Sequence, residues 1–295
     1  MKIITLDDLL GKPLPFAIIE EPISDGKKKR DEDKKEKEAE EEKKVGMQKI
    51  VSWFSAGVSS AVATKLMIDK IDHIFYIHIK DQHPDTLRFV EDCEEWFEKP
   101  IEIMQSQYQS VEDACIASKY INGVHGASCT RLLKKKVRND WEKQQTMPLI
   151  YIWGLDITEK NRMERLEKAM PFQEHIFPLI DRKITKDYAH QLLKASGIKR
   201  PAMYELGYNN NNCIGCVKGG KGYWNKIRRD FPAVFEMRAK MERLLGHTCI
   251  NGVYLDELPA DDGNCPHPVI DDCGIFCELM AEEYEVERRD KCPKK

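Results

Sequence analysis

No apolar run in this chain approaches the roughly 20 residues needed to cross a bilayer. The first ten residues, MKIITLDDLL, carry two acids where a secretory leader would be basic. The expectation is a cytoplasmic protein with no membrane anchor. An excess of charge is also missing: 47 Lys and Arg against 50 Asp and Glu leave a net charge of −3. That balance excludes a uniformly basic face for nucleic acid and leaves only local basic patches. One stretch almost lacks uncharged residues, since Ala39 alone interrupts the mixed charges of 27–44. Such a segment buries no core and reads as a charged linker or solvated helix at 26–46, behind an N-terminal appendage at 1–25.

What is present, from residue 47 onward, is an alternation of short apolar runs with amphipathic stretches. The runs 50–54, 73–79, 101–104 and 149–155 read as strands, and 60–70, 84–98, 110–121 and 130–145 as helices. Alternation of this kind predicts βαβ units and an α/β fold with a parallel sheet covered on both faces. Ligands of such sheets sit at the carboxyl ends of the strands. The nucleotide-binding domain is placed at 47–200, followed by a helical, cysteine-rich extension at 201–295.

The first strand runs into Ser55-Ala56-Gly57-Val58-Ser59-Ser60 and then a helix. A helix start leaves backbone N–H groups unpaired and its dipole favours an anion. Gly57 is read as the residue free to take positive φ and to let a phosphate approach the backbone, with serine hydroxyls as further donors. After the second strand, Asp81 is placed to receive the adenine, the ribose or a metal, or else to join His83 and Asp85 in capping a helix. After the fourth, Gly154, Asp156, Glu159 and Arg162 form a glycine–acid–helix turn, with Glu159 and Arg162 three apart on one face. Arg131 and Lys134, following Cys129 at a helix start, have the same spacing and could clamp an anion.

These segments resemble, in order, those of the phosphoadenosine phosphosulfate (PAPS) reductases and N-type ATP pyrophosphatases. The loop is similar to the SGGxDS signature of their PP-loop, with Ala56 in place of one glycine and Ser59 in place of the aspartate. The resemblance implies an adenine nucleotide alpha hydrolase-like, Rossmann-like sheet, and a nucleotide held by Ser55, Ala56, Gly57, Val58, Ser59 and Ser60. Asp272-Cys273-Gly274-Ile275 is similar to the reductase tail whose cysteine attacks the sulfur of the sulfonucleotide; Phe276 stands where that family has histidine. On that basis Cys273 is the expected nucleophile, Arg131 and Lys134 assist it, and thioredoxin or glutaredoxin resets it.

Ten cysteines in a reducing compartment are expected as ligands or buried thiols rather than disulfides. Cys213-Ile214-Gly215-Cys216 has the spacing of half a metal site. With Cys273 and Cys277 it would suit zinc or a [4Fe–4S] cluster. If Cys273 is the nucleophile, the resemblance implies Cys129, Cys213, Cys216 and Cys277 instead. Cys249, Cys265 and Cys292 are further candidates, whereas Cys93 and Cys115 fall on apolar helix faces and read as core. The segment 222–245 is either a nucleic-acid surface, with Tyr223 or Trp224 stacking on a base and Lys226, Arg228 and Arg229 on phosphates, or a helix packed over the cysteines.

Three functions follow. The first is a PAPS reductase-like oxidoreductase acting on a sulfonucleotide. The second is an ATP pyrophosphatase that uses Mg²⁺ and a sulfur donor to thiolate a nucleic acid. The third is a nucleotide- and metal-binding module without turnover.

Overall fold

The computed structural model describes residues 48–123 and 126–263. The N-terminal appendage, the charged stretch, Cys265, the whole 272–277 segment with Cys273 and Cys277, and Cys292 lie outside the described residues.

Five parallel strands form the sheet: β1 (Lys49–Trp53), β2 (His73–Ile77), β3 (Glu102–Met104), β6 (Leu149–Ile152) and β7 (Glu174–Ile176), in the order β3-β2-β1-β6-β7. Both faces of the central strands are apolar, as burial under helices on each side requires. Ile50 and Phe54 face one core with Ile74, Tyr76 and Ile150. Val51 and Trp53 face the other with Phe75, Tyr151 and Trp153. The first face is covered by α1 (Val58–Leu66) and α2 (Asp85–Phe97), and Leu192 and Leu193 of the later helix α7 (Lys186–Ala195) close it. The second is covered by α5 (Lys160–Ala169) through Leu166, and by Ile180 of α6 (Pro178–Asp181). Chain direction across the sheet reverses between β1 and β6, so the loops after these two strands flank the switch point.

A second core lies beyond the carboxyl edge of the sheet. It joins Val111, Ala114 and Cys115 of α3 (Val111–Ser118) to Cys129 and Leu133, and both to Cys213, Cys216, Tyr223, Trp224 and Phe235. A two-strand ribbon, β4 (Asn122–Gly123) and β5 (Gly126–Ala127), leads into this core. Helices α8 (Ala202–Glu205), α9 (Lys221–Asp230) and α10 (Pro232–Leu245) complete it, the last two separated at Phe231, with Pro232 opening α10. The cluster crosses the boundary expected at residue 200.

The third expected strand is shorter by one residue, and the second and fourth stop before the residues that turn toward the site. β7 carried no signal, because its three residues, Glu-His-Ile, show no apolar run. The helix expected at 130–145 is a π-helix over Thr130–Lys135 that continues as α4 (Lys136–Glu142). No helix among the described residues is long and apolar enough to cross a membrane.

Candidate functional site

At the switch point the loop 55–60 bends sharply, and the left-handed backbone falls on Ala56, at φ 56°. Gly57 is extended, at φ −99° and ψ 161°, and caps α1. The positive φ expected of Gly57 therefore belongs to its neighbour. Ala56 is fully buried, and Asn211 holds its carbonyl by donating a hydrogen bond of 2.8 Å. Within the loop, the Ser60 hydroxyl accepts from the Ser55 N–H at 3.1 Å, and the Tyr204 hydroxyl accepts from the Val58 N–H at 3.3 Å. Gly154 follows β6 with no room to spare: a Cβ there would lie 2.6 Å from Ser60 Cα and 2.7 Å from its N. The end of one strand is thus pressed onto the start of the helix that follows another.

Around this junction opens a cleft with about 920 Å³ of empty space, part of it open to solvent. Ser55, Gly57, Ser60 and Gly154 form its floor, and Lys134 and Arg162 supply cations. Trp53, Phe75 and Trp153 give it an aromatic wall, while Asn211, Asn212 and Cys213 close the far side. Four segments singled out in the sequence therefore meet in one place. The family model for the phosphoadenosine phosphosulfate reductase domain matches residues 49–220, more than half of the 295-residue chain. The chain belongs to the phosphoadenosine phosphosulfate reductase domain family. A crystal structure of phosphoadenylyl-sulfate (PAPS) reductase from Candida auris, in a phosphate complex, is similar at 13% identity over 57% of this chain and 81% of that one. Its TM-score of 0.39 is too low to carry any inference. No curated protein matches this chain in sequence.

Not every expected residue of this family site reaches the cleft. Asp81 is engaged inside the protein: one carboxylate oxygen accepts from the Val111 N–H at 2.7 Å, and the other is ion-paired with Arg238, itself fully buried. Its carbonyl accepts from Ile214 N–H at 2.8 Å, and Arg238 Nε donates to the Gly215 carbonyl at 3.2 Å. Asp81 therefore fastens the cysteine turn to the sheet edge, and its carboxylate is not left for ribose, adenine or metal. Arg131 is exposed and donates to Ser118 Oγ at 3.2 Å, outside the cleft that Lys134 lines. The cause is the π-helix, whose i→i+5 winding separates residues three apart by more than an α-helix would.

Asp156 and Glu159 form a capping box: the Asp156 carboxylate accepts from the Thr158 N–H at 2.7 Å, and Glu159 accepts from the Asp156 N–H at 3.0 Å. Glu159 is also ion-paired with Arg162. The two acids thus fix the turn, Glu159 orients the arginine, and Gly154 and Arg162 are the members of the set that line the cleft. His83 and Asp85 cap α2 and its surroundings, His83 Nδ1 accepting from the Asp85 N–H and Asp85 accepting from the Ala202 N–H.

Cys213 and Cys216 sit at the ends of a turn closed by Gly215 at φ 68°. The Tyr223 hydroxyl bridges the turn, accepting from Cys216 N–H at 2.8 Å and donating to the Cys213 carbonyl at 3.3 Å. Among the described residues no group of three or more His, Cys, Asp or Glu could hold a metal ion. Cys129, Cys213 and Cys216 all belong to the second core. Cys93 and Cys115 are core thiols, as their helix faces indicated; burial pushes Cys115 up to about 12 and raises Cys93 further. Cys249 is likewise raised by burial beside Glu242.

Tyr223 and Trp224 are buried, so neither ring can stack on a nucleic-acid base. Arg228 donates to the carbonyls of Leu255 and Leu258 inside the fold, and Lys226 makes an i,i+4 surface ion pair with Asp230. Asn211 and Tyr204 had no signal of their own: the former lies in a run of four asparagines that reads as loop, the latter in a short helix.

Proposed function

We propose that this chain is an enzyme that binds an adenine sulfonucleotide in the cleft and carries out sulfur-related redox chemistry on it. The observation that carries the reading is the convergence of the loop 55–60, Lys134, Arg162 and Cys213 on one cavity. The first turn of α1 presents the backbone N–H groups of Ser59 and Ser60 to a phosphate, the Val58 N–H being held by Tyr204, and Lys134 and Arg162 offset the remaining negative charge. The aromatic wall of Trp53, Phe75 and Trp153 suits a purine. A thiolate then attacks the sulfur, the nucleotide leaves with its bridging oxygen, and a second thiol releases sulfite as a disulfide forms.

The Cys273 thiol remains the proposed nucleophile by resemblance, with a thioredoxin- or glutaredoxin-like dithiol restoring it. A zinc ion or [4Fe–4S] cluster at the Cys213–Cys216 turn would need further thiolates from beyond the described residues, Cys277 being the first candidate. Such a group would stabilise the turn and tune the adjoining cleft electrostatically. The ATP pyrophosphatase reading lacks the loop carboxylate, since Ser59 stands in its place.

The test is titration calorimetry of the full chain with adenosine 3′,5′-bisphosphate and with ATP, followed by assays for sulfite from PAPS with dithiothreitol and for pyrophosphate from ATP. Bisphosphate binding with sulfite release supports the proposal. Pyrophosphate release instead would replace it with the ATP reading, and binding without either product would make the protein a binding module.

A further inference from the structure

A left-handed backbone is avoided by L-residues other than glycine, because Cβ crowds the following carbonyl. Ala56 adopts it at the centre of the loop, fully buried. What opposes its return to an ordinary conformation is Asn211, reaching across from the segment before the cysteine turn. Its amide nitrogen donates to the Ala56 carbonyl at 2.8 Å and to Thr86 Oγ1 at 3.2 Å, and the side chain is 4% exposed. An asparagine amide has two N–H donors, and both are spent inside the protein. Neither is left for a ligand, although Asn211 borders the cleft.

We infer that Asn211 is a positioning residue: its amide clamps the carbonyl of a strained alanine and so keeps the following N–H groups aimed at the phosphate. The inference rests on the nucleotide reading given above. Glycine at position 56 would hold the same turn unaided. Dependence on Asn211 is therefore a consequence of the alanine, and removing the alanine should remove the dependence.

The experiment measures adenosine 3′,5′-bisphosphate affinity by calorimetry for the full-length wild type, Asn211→Ala, Asn211→Asp, Ala56→Gly and the Ala56→Gly/Asn211→Ala double variant. Thermal midpoints confirm that each is folded. Asn211→Asp keeps the shape of the side chain and loses the donor, which guards against a loss of folding by truncation. Asn211→Ala should weaken binding about tenfold, the equivalent of one lost buried hydrogen bond, and Asn211→Asp, which also sets a buried carboxylate against the carbonyl, by at least as much. On the Ala56→Gly background the loss on removing the donor should shrink, the double variant binding within about threefold of Ala56→Gly alone. Unchanged affinity on losing the donor would overturn the inference. A double variant as weak as Asn211→Ala would overturn it too, because Asn211 would then be acting on the ligand directly. A wild type that binds no adenine nucleotide would overturn the nucleotide reading and this inference with it.

Discussion

The left-handed turn of the loop falls one residue before the glycine to which the pattern assigned it, and that exchange moves the sensitive positions. Gly57 is extended, and a Cβ there would meet Ser55 Oγ and Tyr204 Oη at ordinary contact distance, 3.5 Å. Gly154 has no such freedom, because its neighbours are backbone atoms of Ser59 and Ser60. Gly154→Ala should displace the start of α1, lower stability by about 1–3 kcal/mol as an overpacked contact, and cut nucleotide affinity more than Gly57→Ala does. Denaturation and calorimetry on the two variants check the ranking. At Asp81 and Arg238 the expectation is sharper. Arg238→Met leaves a buried carboxylate without its partner and should cost about 3–5 kcal/mol, most of it recovered in Asp81→Asn/Arg238→Met; urea unfolding reads both. The sequence showed Asp81 at the right edge of the sheet but not its partner, 157 positions away. Side chains that serve the site from such separations, Asn211 among them, leave no local pattern to read. The loop, Gly154, Lys134 and Arg162 were legible because their chemistry follows from position after a strand or at a helix start.

Strand and helix positions were legible where periodicity is strong. The centres of β1, β2 and β6 are continuous apolar runs, and α2 shows a stripe of Phe89, Val90, Cys93 and Phe97. The π-helix was not, since hydrophobic spacing in Thr-Arg-Leu-Leu-Lys-Lys does not distinguish i→i+4 from i→i+5 winding. Its consequence is testable at the ligand: Lys134→Ala should weaken bisphosphate binding about tenfold, while Arg131→Ala should leave it unchanged, in one calorimetric comparison. At the start of α2, hydrogen bonds from Arg88 hold the Asp85 carboxyl below its usual range. A carboxyl depressed in the folded state lends stability above its unfolded value, about 3.9, and loses it as pH falls through the lower folded value. Asp85→Asn should therefore flatten the acid limb of a stability profile below about pH 4 and leave its shape near neutrality unaltered.

On the scale of the molecule, the second core joins 111–133 to 203–258 and ignores the boundary that composition suggested. Composition changes near 200 because the chain becomes rich in asparagine and cysteine, which says what the segment contains but not what it packs against. A fragment ending at residue 200 would expose Cys115, Ile121 and Leu133 and lose Tyr204 from beside the loop; it should bind a hydrophobic dye and melt without cooperativity, whereas the full chain should melt sharply. The short path from Asn211 to Cys213 has a further consequence. A single residue, Asn212, separates the amide that holds the nucleotide loop from the thiol that borders the cleft, so they form one mechanical unit. Reversible oxidation or coordination at that thiol which shifts the unit changes nucleotide affinity by some factor. Thermodynamic reciprocity then requires bound nucleotide to change the equilibrium of that thiol chemistry by the same factor, so the occupied cleft would report itself in the redox behaviour of the turn.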